Sequence, residues 1–305
     1  MRSIGRLRLG TRGSLLARTQ SGLVAEALAA LGVEVELVEI VTTGDRRPAD
    51  TTWGEGWFVT SLRDALLGGE IDLAVHSAKD VPIEEVAGLV IAAMPERADP
   101  RDALVLHPGA AAAGESGDPL AALARGATVG TDSPRRAGFL RAARPDLRVI
   151  PLHGNVDTRL ARLDRREADA LVLAVAGLAR LGRADRISAV LSPDLVPPAP
   201  GQGALAVEVR RDDDGVAALV AGLDHAPTHV AVRTERRVLE TTGGGCRAPV
   251  GALATVRGGT IDLRAGAVDP DGAHLRRVRR SASAPDWARL ATDTGRALGR
   301  VAVPA

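Results

Sequence analysis

Residues 7–11 alternate apolar and polar side chains, which predicts a strand. The strand runs into Gly10-Thr11-Arg12-Gly13-Ser14. Ser14 suits the N-cap of a helix over about 15–31, and Gly32 stops it. Leu16, Leu23, Ala27 and Leu31 are expected on the apolar side of that helix. Residues 33–42 predict a second strand. Strand, helix, strand is a βαβ opening, which implies a parallel sheet covered on both faces. In such sheets ligands bind beyond the carboxyl ends of the strands.

The same layout recurs along the chain. A polar, glycine-containing stretch over 43–57 has the composition of a flap or of an inert surface loop, and a helix over about 58–68 follows. A strand at 71–75 leads into His76-Ser77-Ala78-Lys79-Asp80-Val81-Pro82, so three ionisable groups are expected at one strand end. After a strand at 90–93, residues 95–100 read as a crossover and 102–107 as a strand that begins a second unit. Ala/Gly-rich 110–117 is a loop. Strands at 127–130, 147–152 and 170–175 lead into Thr131-Asp132-Ser133-Pro134-Arg135-Arg136, His153-Gly154-Asn155 and Ala176–Arg180, with a helix over about 157–167. Pro197–Gly203 is a second crossover, and the strand at 204–209 is expected to return to the first sheet. Asp212–Gly215 is an acidic turn without the ligand spacing of a calcium loop. A helix over about 228–241, a hairpin of 261–268 with 275–281 across Asp269–Gly272, and a helix over about 285–299 complete the chain. The expected division is a discontinuous α/β domain of residues 1–97 and 199–217, a second α/β domain of 98–198, and a smaller α+β domain of 218–305.

Composition narrows the function. The formal net charge of +1 and the absence of Tyr argue against a nucleic-acid partner. No stretch is apolar for long enough to span a bilayer, and the N-terminus has no apolar signal core. One cysteine makes no intrachain disulfide, so the expected location is cytoplasmic. The basic residues are arginine throughout, with Lys79 the one lysine. Arginine forks onto carboxylates, whereas lysine is a compact ammonium.

Two features carry candidate chemistry. The single cysteine, Cys246, follows three glycines and precedes Arg247 in Gly243–Pro249. Glycine lets such a loop push a side chain outward, and an adjacent cation favours thiolate. The cysteine is either a covalent attachment point or a free thiol in a turn. The second feature is the delivery of Arg12, Arg135, Arg136, Arg159 and Arg180 at strand ends. Each is a surface charge or an anion contact; together they imply a polyanion, with carboxylate or phosphate matching the fork. No P-loop or dinucleotide fingerprint occurs, which weakens the case for nucleotide phosphate.

At this point the residues resemble the porphobilinogen deaminase (hydroxymethylbilane synthase) family. The matching stretches are Gly10–Ser14, Val75–Pro82, Val129–Arg136, His153–Arg159, Leu173–Leu178, Ala199–Ala204 and Gly244–Cys246, in this order along nearly the whole chain. The resemblance implies two periplasmic-binding-protein-like α/β domains and a third, smaller α+β domain. It implies a covalent dipyrromethane cofactor on Cys246, made from the enzyme's own substrate. Four porphobilinogen units then join in sequence, each losing ammonia, and hydrolysis releases the linear tetrapyrrole. Asp80 takes the role of catalytic carboxylate, bonding pyrrole N–H groups and stabilising a cationic azafulvene-like intermediate. Cys246, Lys79, Ser133, Arg135, Arg136 and Asp80 match cofactor-holding positions. Arg12, Ser14, His153, Arg159, Arg180, Phe58 and Gln202 match positions around the substrate. A monomer without metal, nucleic acid or membrane is expected.

The chain departs from the family's pattern in ways that lower positive charge. His153 stands where arginine usually precedes Gly-Asn-Val, Glu55 and Thr60 stand at commonly basic positions, and Asp132 replaces a usual hydroxyl. His153 cannot fork onto a carboxylate, which implies a weaker hold on one pyrrole's carboxylates. A non-catalytic binding protein for small polyanions would also use the arginines and the crossovers. It gives no reason for a lone cysteine in a glycine loop.

Overall fold

The computed structural model describes residues 6–41, 57–109, 118–245 and 247–301. The expected flap up to residue 56, with Glu55, lies outside the described residues, as do the loop at 110–117 and Cys246.

The chain begins β1 (Leu7–Thr11), α1 (Leu15–Ala30), β2 (Val35–Glu39), α2 (Trp57–Leu67), β3 (Leu73–Ser77) and β4 (Leu89–Ala93). It continues through β5 (Asp102–Leu106), β6 (Thr128–Gly130), α3 (Pro134–Ala143), β7 (Arg148–Ile150) and α4 (Val156–Asp164). Then come β8 (Ala170–Ala174), α5 (Val175–Arg180), β9 (Ala189–Val190) and β10 (Leu205–Arg210). The last part comprises α6 (Asp214–Ala221), α7 (Ala226–Thr241), β11 (Val250–Arg257), β12 (Thr260–Ala267), β13 (Arg276–Ser283) and α8 (Trp287–Leu298).

Two five-stranded sheets share one plan. The first has the order β2-β1-β3-β10-β4 and the second β7-β6-β8-β5-β9. In each, three strands run parallel and a fourth, brought by the chain as it crosses between sheets, lies antiparallel beside the third. The strand expected at 204–209 thus does return to the first sheet. It enters between β3 and β4, antiparallel to both, so the sheet is mixed rather than wholly parallel. Near-continuous apolar runs such as Ala170–Ala174 follow from burial on both faces. The third sheet, β11-β12-β13, is antiparallel, with α7 and α8 sharing its core through Val238, Leu239, Leu263 and Leu290.

Local differences have physical reasons. The α1 face that meets the sheet is Ser21, Val24 and Leu28, whereas Leu23 and Leu31 are exposed. The apolar stripe is rotated because the N-terminal turns of α1 face the other sheet, where Leu16 approaches Gly177. Val175, read as the last residue of a strand, instead starts α5, which takes in the segment up to Arg180. Asp213 is a cap rather than part of a loop: its carboxylate accepts from Val216 N at 3.1 Å and starts α6.

Two crossovers join the sheets. They touch where Gly203, at φ +86°, lies so close that a Cβ would meet Ala98 O at 2.5 Å. Only glycine fits there.

Candidate active site

Strand alternation and helix capping bring the chemistry to one cleft. It has a volume of about 310 Å³ and opens between the carboxyl ends of β1 and β3 in one sheet and of β8 in the other. Ser14 ends the β1 turn and caps α1, its Oγ accepting from Ala17 N at 3.3 Å. Arg12 lines the cleft beside it. Ser77 ends β3 and is held by Gln20 of α1 at 2.9 Å; after it the chain makes one tight turn, Ala78–Asp80, that presents Lys79 and Asp80.

The second sheet supplies Arg136, Arg159 and Arg180. Arg159 is oriented by Gly154 O at 2.7 Å, and Arg180 by Gly203 O at 2.8 Å. Burial lowers the pKa of both guanidiniums, so their charge is held at a cost. Among the described residues no carboxylate lies within ion-pair distance of Arg180. Asp80 is the one acid among the described residues lining the cleft. The arrangement is a set of convergent cations around one exposed carboxylate. It can hold a polyanionic ligand and keep one acid–base group against it.

Other expected site residues stand behind the cleft. Arg135 and Arg136 both clamp Asp102, with Arg135 Nη2–Oδ2 and Arg136 Nη2–Oδ1 each 2.8 Å. Arg135 does not line the cleft, and its Nη1 bonds Pro197 O. Gln202 is buried and donates to Pro100 O at 2.7 Å and Asp102 at 2.9 Å. Its carbonyl faces Lys79 at 3.5 Å and Arg136 at 3.4 Å. Ser133 caps α3, accepting from Arg136 N. His153 is not among the residues lining the cleft; its Nδ1 is 2.7 Å from Asp132, whose other oxygen is 3.3 Å from Arg159. Two of the four departures from the family's pattern thus sit against each other. Phe58 lies in the first turn of α2.

His76, expected with Lys79 and Asp80 at the strand end, is a correction. Alternation along β3 turns it to the far face, where Nε2 is 3.2 Å from Glu208, itself bonded by Arg63.

Sequence reasoning missed Asp102, Gln20, Arg97 and Glu235. Asp102 left one signal, an acid heading an otherwise apolar strand. Glu235 left none, among the charged residues of α7.

Two α/β sheets of one plan, joined by paired crossovers and closing on a cation-lined cleft, with a third, antiparallel sheet beside them, define a two-sheet α/β protein with a ligand cleft between the sheets. The chain belongs to the porphobilinogen deaminase family. Residues 7–218 match the family's "Porphobilinogen deaminase, dipyromethane cofactor binding domain", and 229–298 match its C-terminal domain. The chain is 50% identical to the porphobilinogen deaminase of Acidothermus cellulolyticus over 299 residues, covering 96% of this chain and 87% of the relative. It is 48% identical to that of Thermobifida fusca, covering 95% and 91%. Among solved structures, the methionine-binding protein MetQ is similar with a TM-score of 0.45 and 13% identity, over 72% of this chain and 90% of that one. No described helix is long and apolar enough to cross a membrane.

Proposed function

We propose that the chain is a hydroxymethylbilane synthase, which condenses four porphobilinogen units with loss of ammonia on a covalent dipyrromethane primer and releases the product by hydrolysis. The observation that carries this reading is the half-buried Arg180, with no carboxylate within ion-pair distance among the described residues, in a cation-lined cleft whose one described acid is Asp80. Each substituted pyrrole brings two carboxylates and one N–H, which is the complementary set. The bound dipyrromethane supplies a pyrrole carbon to be alkylated.

The residues divide the work. Cys246 holds the primer by a thioether. Lys79, Arg136 and Ser133 favour the primer's carboxylates, with Arg135 behind them. Arg12, Ser14, Arg159 and Arg180 face the incoming unit, with His153, Phe58 and Gln202 near it. Asp80 accepts pyrrole N–H groups, passes a proton as the amine leaves, and offsets the positive charge that develops on the substrate. The domains are residues 1–97 with 199–217, 98–198, and 218–305. The protein works as a cytoplasmic monomer.

Intact mass tests this. The purified chain is expected to carry the mass of two deaminated pyrrole units, absent from Cys246→Ala, and to gain a ladder of up to four more with porphobilinogen. A bare polypeptide mass that porphobilinogen leaves unaltered would overturn the reading in favour of a binding protein.

Lys79 gives a pH signature. Burial pushes its ammonium down to about 8; Asp80 opposes this, while the Arg136 charge adds to it. The charged form is present below that value and lost above it. Therefore kcat/KM for porphobilinogen, which reports the free enzyme, should decline as pH rises through about 8. Lys79→Gln should be weaker at neutral pH and lack that decline. A decline unchanged in Lys79→Gln would assign it to another group.

A further inference from the structure

The turn that carries Lys79 and Asp80 is short, a single turn over Ala78–Asp80. The backbone N–H of Ala78 bonds Ala204 O at 3.0 Å, and Gly201 packs against the Ala78–Lys79 peptide, where a Cβ would come within 3.1 Å. The other side is held from the third domain. Arg236 of α7 donates to Val81 O and Pro82 O, both at 2.7 Å, and approaches Ala78 O at 3.4 Å. Val232, one helical turn earlier on the same face, packs with Ala78 and Val81. Glu235, the residue before Arg236, is fully buried and grips the crossovers. It accepts from Gly201 N at 2.7 Å and from Arg97 at 2.6 and 3.0 Å, while also accepting from Ala254 N in β11 at 2.8 Å.

The Arg236 guanidinium thus holds backbone carbonyls of the turn that carries the cleft's acid. Its geometry fits positioning: a planar fork reaches two successive carbonyls that an ammonium cannot span together. The same helix ends at Thr241 and passes directly into Gly243–Gly245, the approach to Cys246. Arg236 lies ten residues before that cysteine in the sequence.

We propose that Arg236 is a positioning residue that fixes the Lys79–Asp80 turn to α7, so that the acid–base carboxylate is set from the element that leads to the cysteine loop. This rests on the proposed synthase reading for its catalytic arm only.

Arg236→Met tests it, with hydrogen exchange and kinetics read together. Amides of residues 77–84 should exchange faster while exchange elsewhere in α7 and the third sheet stays as in the parent. With porphobilinogen, kcat should fall by about 10–100-fold, the range expected for a small misplacement of a reacting group. KM should change less than kcat, and the mass of the attached primer should be kept. Arg236→Lys should recover part of the loss. Unaltered exchange at 77–84, or faster exchange spread through the third domain with a lower melting temperature, would overturn the proposal. If Arg236→Met does not fold, the comparison of Arg236→Gln with Arg236→Lys decides by the same two readouts. A parent chain that turns over no porphobilinogen would sink the synthase reading while leaving the exchange arm valid.

Discussion

Asp80→Asn is expected to lower kcat for porphobilinogen by about 10²–10⁴-fold, the contribution of a positioned acid–base group. Asn keeps the size and a carbonyl acceptor, so contact with a pyrrole N–H survives. It loses both the charge that offsets a developing cation and the capacity to carry the proton. The cations around it, Lys79, Arg12, Arg136, Arg159 and Arg180, remain for the carboxylates, so KM should change far less than kcat. Stability should stay within about 0.5 kcal/mol, since Asp80 is exposed at the end of its turn. Steady-state rates, thermal melts and intact mass check each part. A turnover near that of the parent would show that the cleft's one described acid is not the acid–base group.

What could be read in the sequence was local. Strand ends closed by glycine, serine and proline are written in neighbouring residues, so Gly10–Ser14 and Ser77–Pro82 were placed where the cleft lies. The arginines at those ends were also legible. Their division was not. Arg135 and Arg136 are adjacent, yet Arg136 reaches the cleft and Arg135 does not. That choice is made by Asp102, more than thirty residues earlier, and no local pattern encodes such a meeting. His76 failed for a simpler reason: it was grouped with Lys79 and Asp80 by proximity, although a strand sends alternate side chains to opposite faces. The helix α5 hid because an uninterrupted apolar run has no period with which to tell helix from strand.

Asp102 is the residue whose loss should cost the fold most. It is fully buried at the head of β5 and accepts four bonds: from Arg135 at 2.8 Å, from Arg136 at 2.8 and 3.1 Å, and from Gln202 at 2.9 Å. Burial alone would raise its pKa, but the two guanidiniums outweigh that and hold the carboxyl well below the usual carboxylate range. Asp102→Ala leaves two buried guanidiniums without their counter-charge, and breaking a buried pair in this way costs about 3–5 kcal/mol. The loss should appear as a lower midpoint in urea for the transition that includes the second sheet. Asp102→Asn should lose less packing but the same charge. It also carries a pH test. Because the folded pKa is depressed, this stabilisation is present above the ordinary carboxylate value of about 4 and lost as pH falls below it. The gap between parent and Asp102→Asn should therefore be widest at neutral pH and narrow as the solution is acidified below about 4. The effect reaches the cleft as well, since Arg136 and Gln202 are both oriented by this carboxylate and Gln202 in turn faces Lys79. A gap that stays constant from neutral pH into acid would mean that Asp102 contributes through packing rather than charge, and the ion-pair account of this crossover would fail.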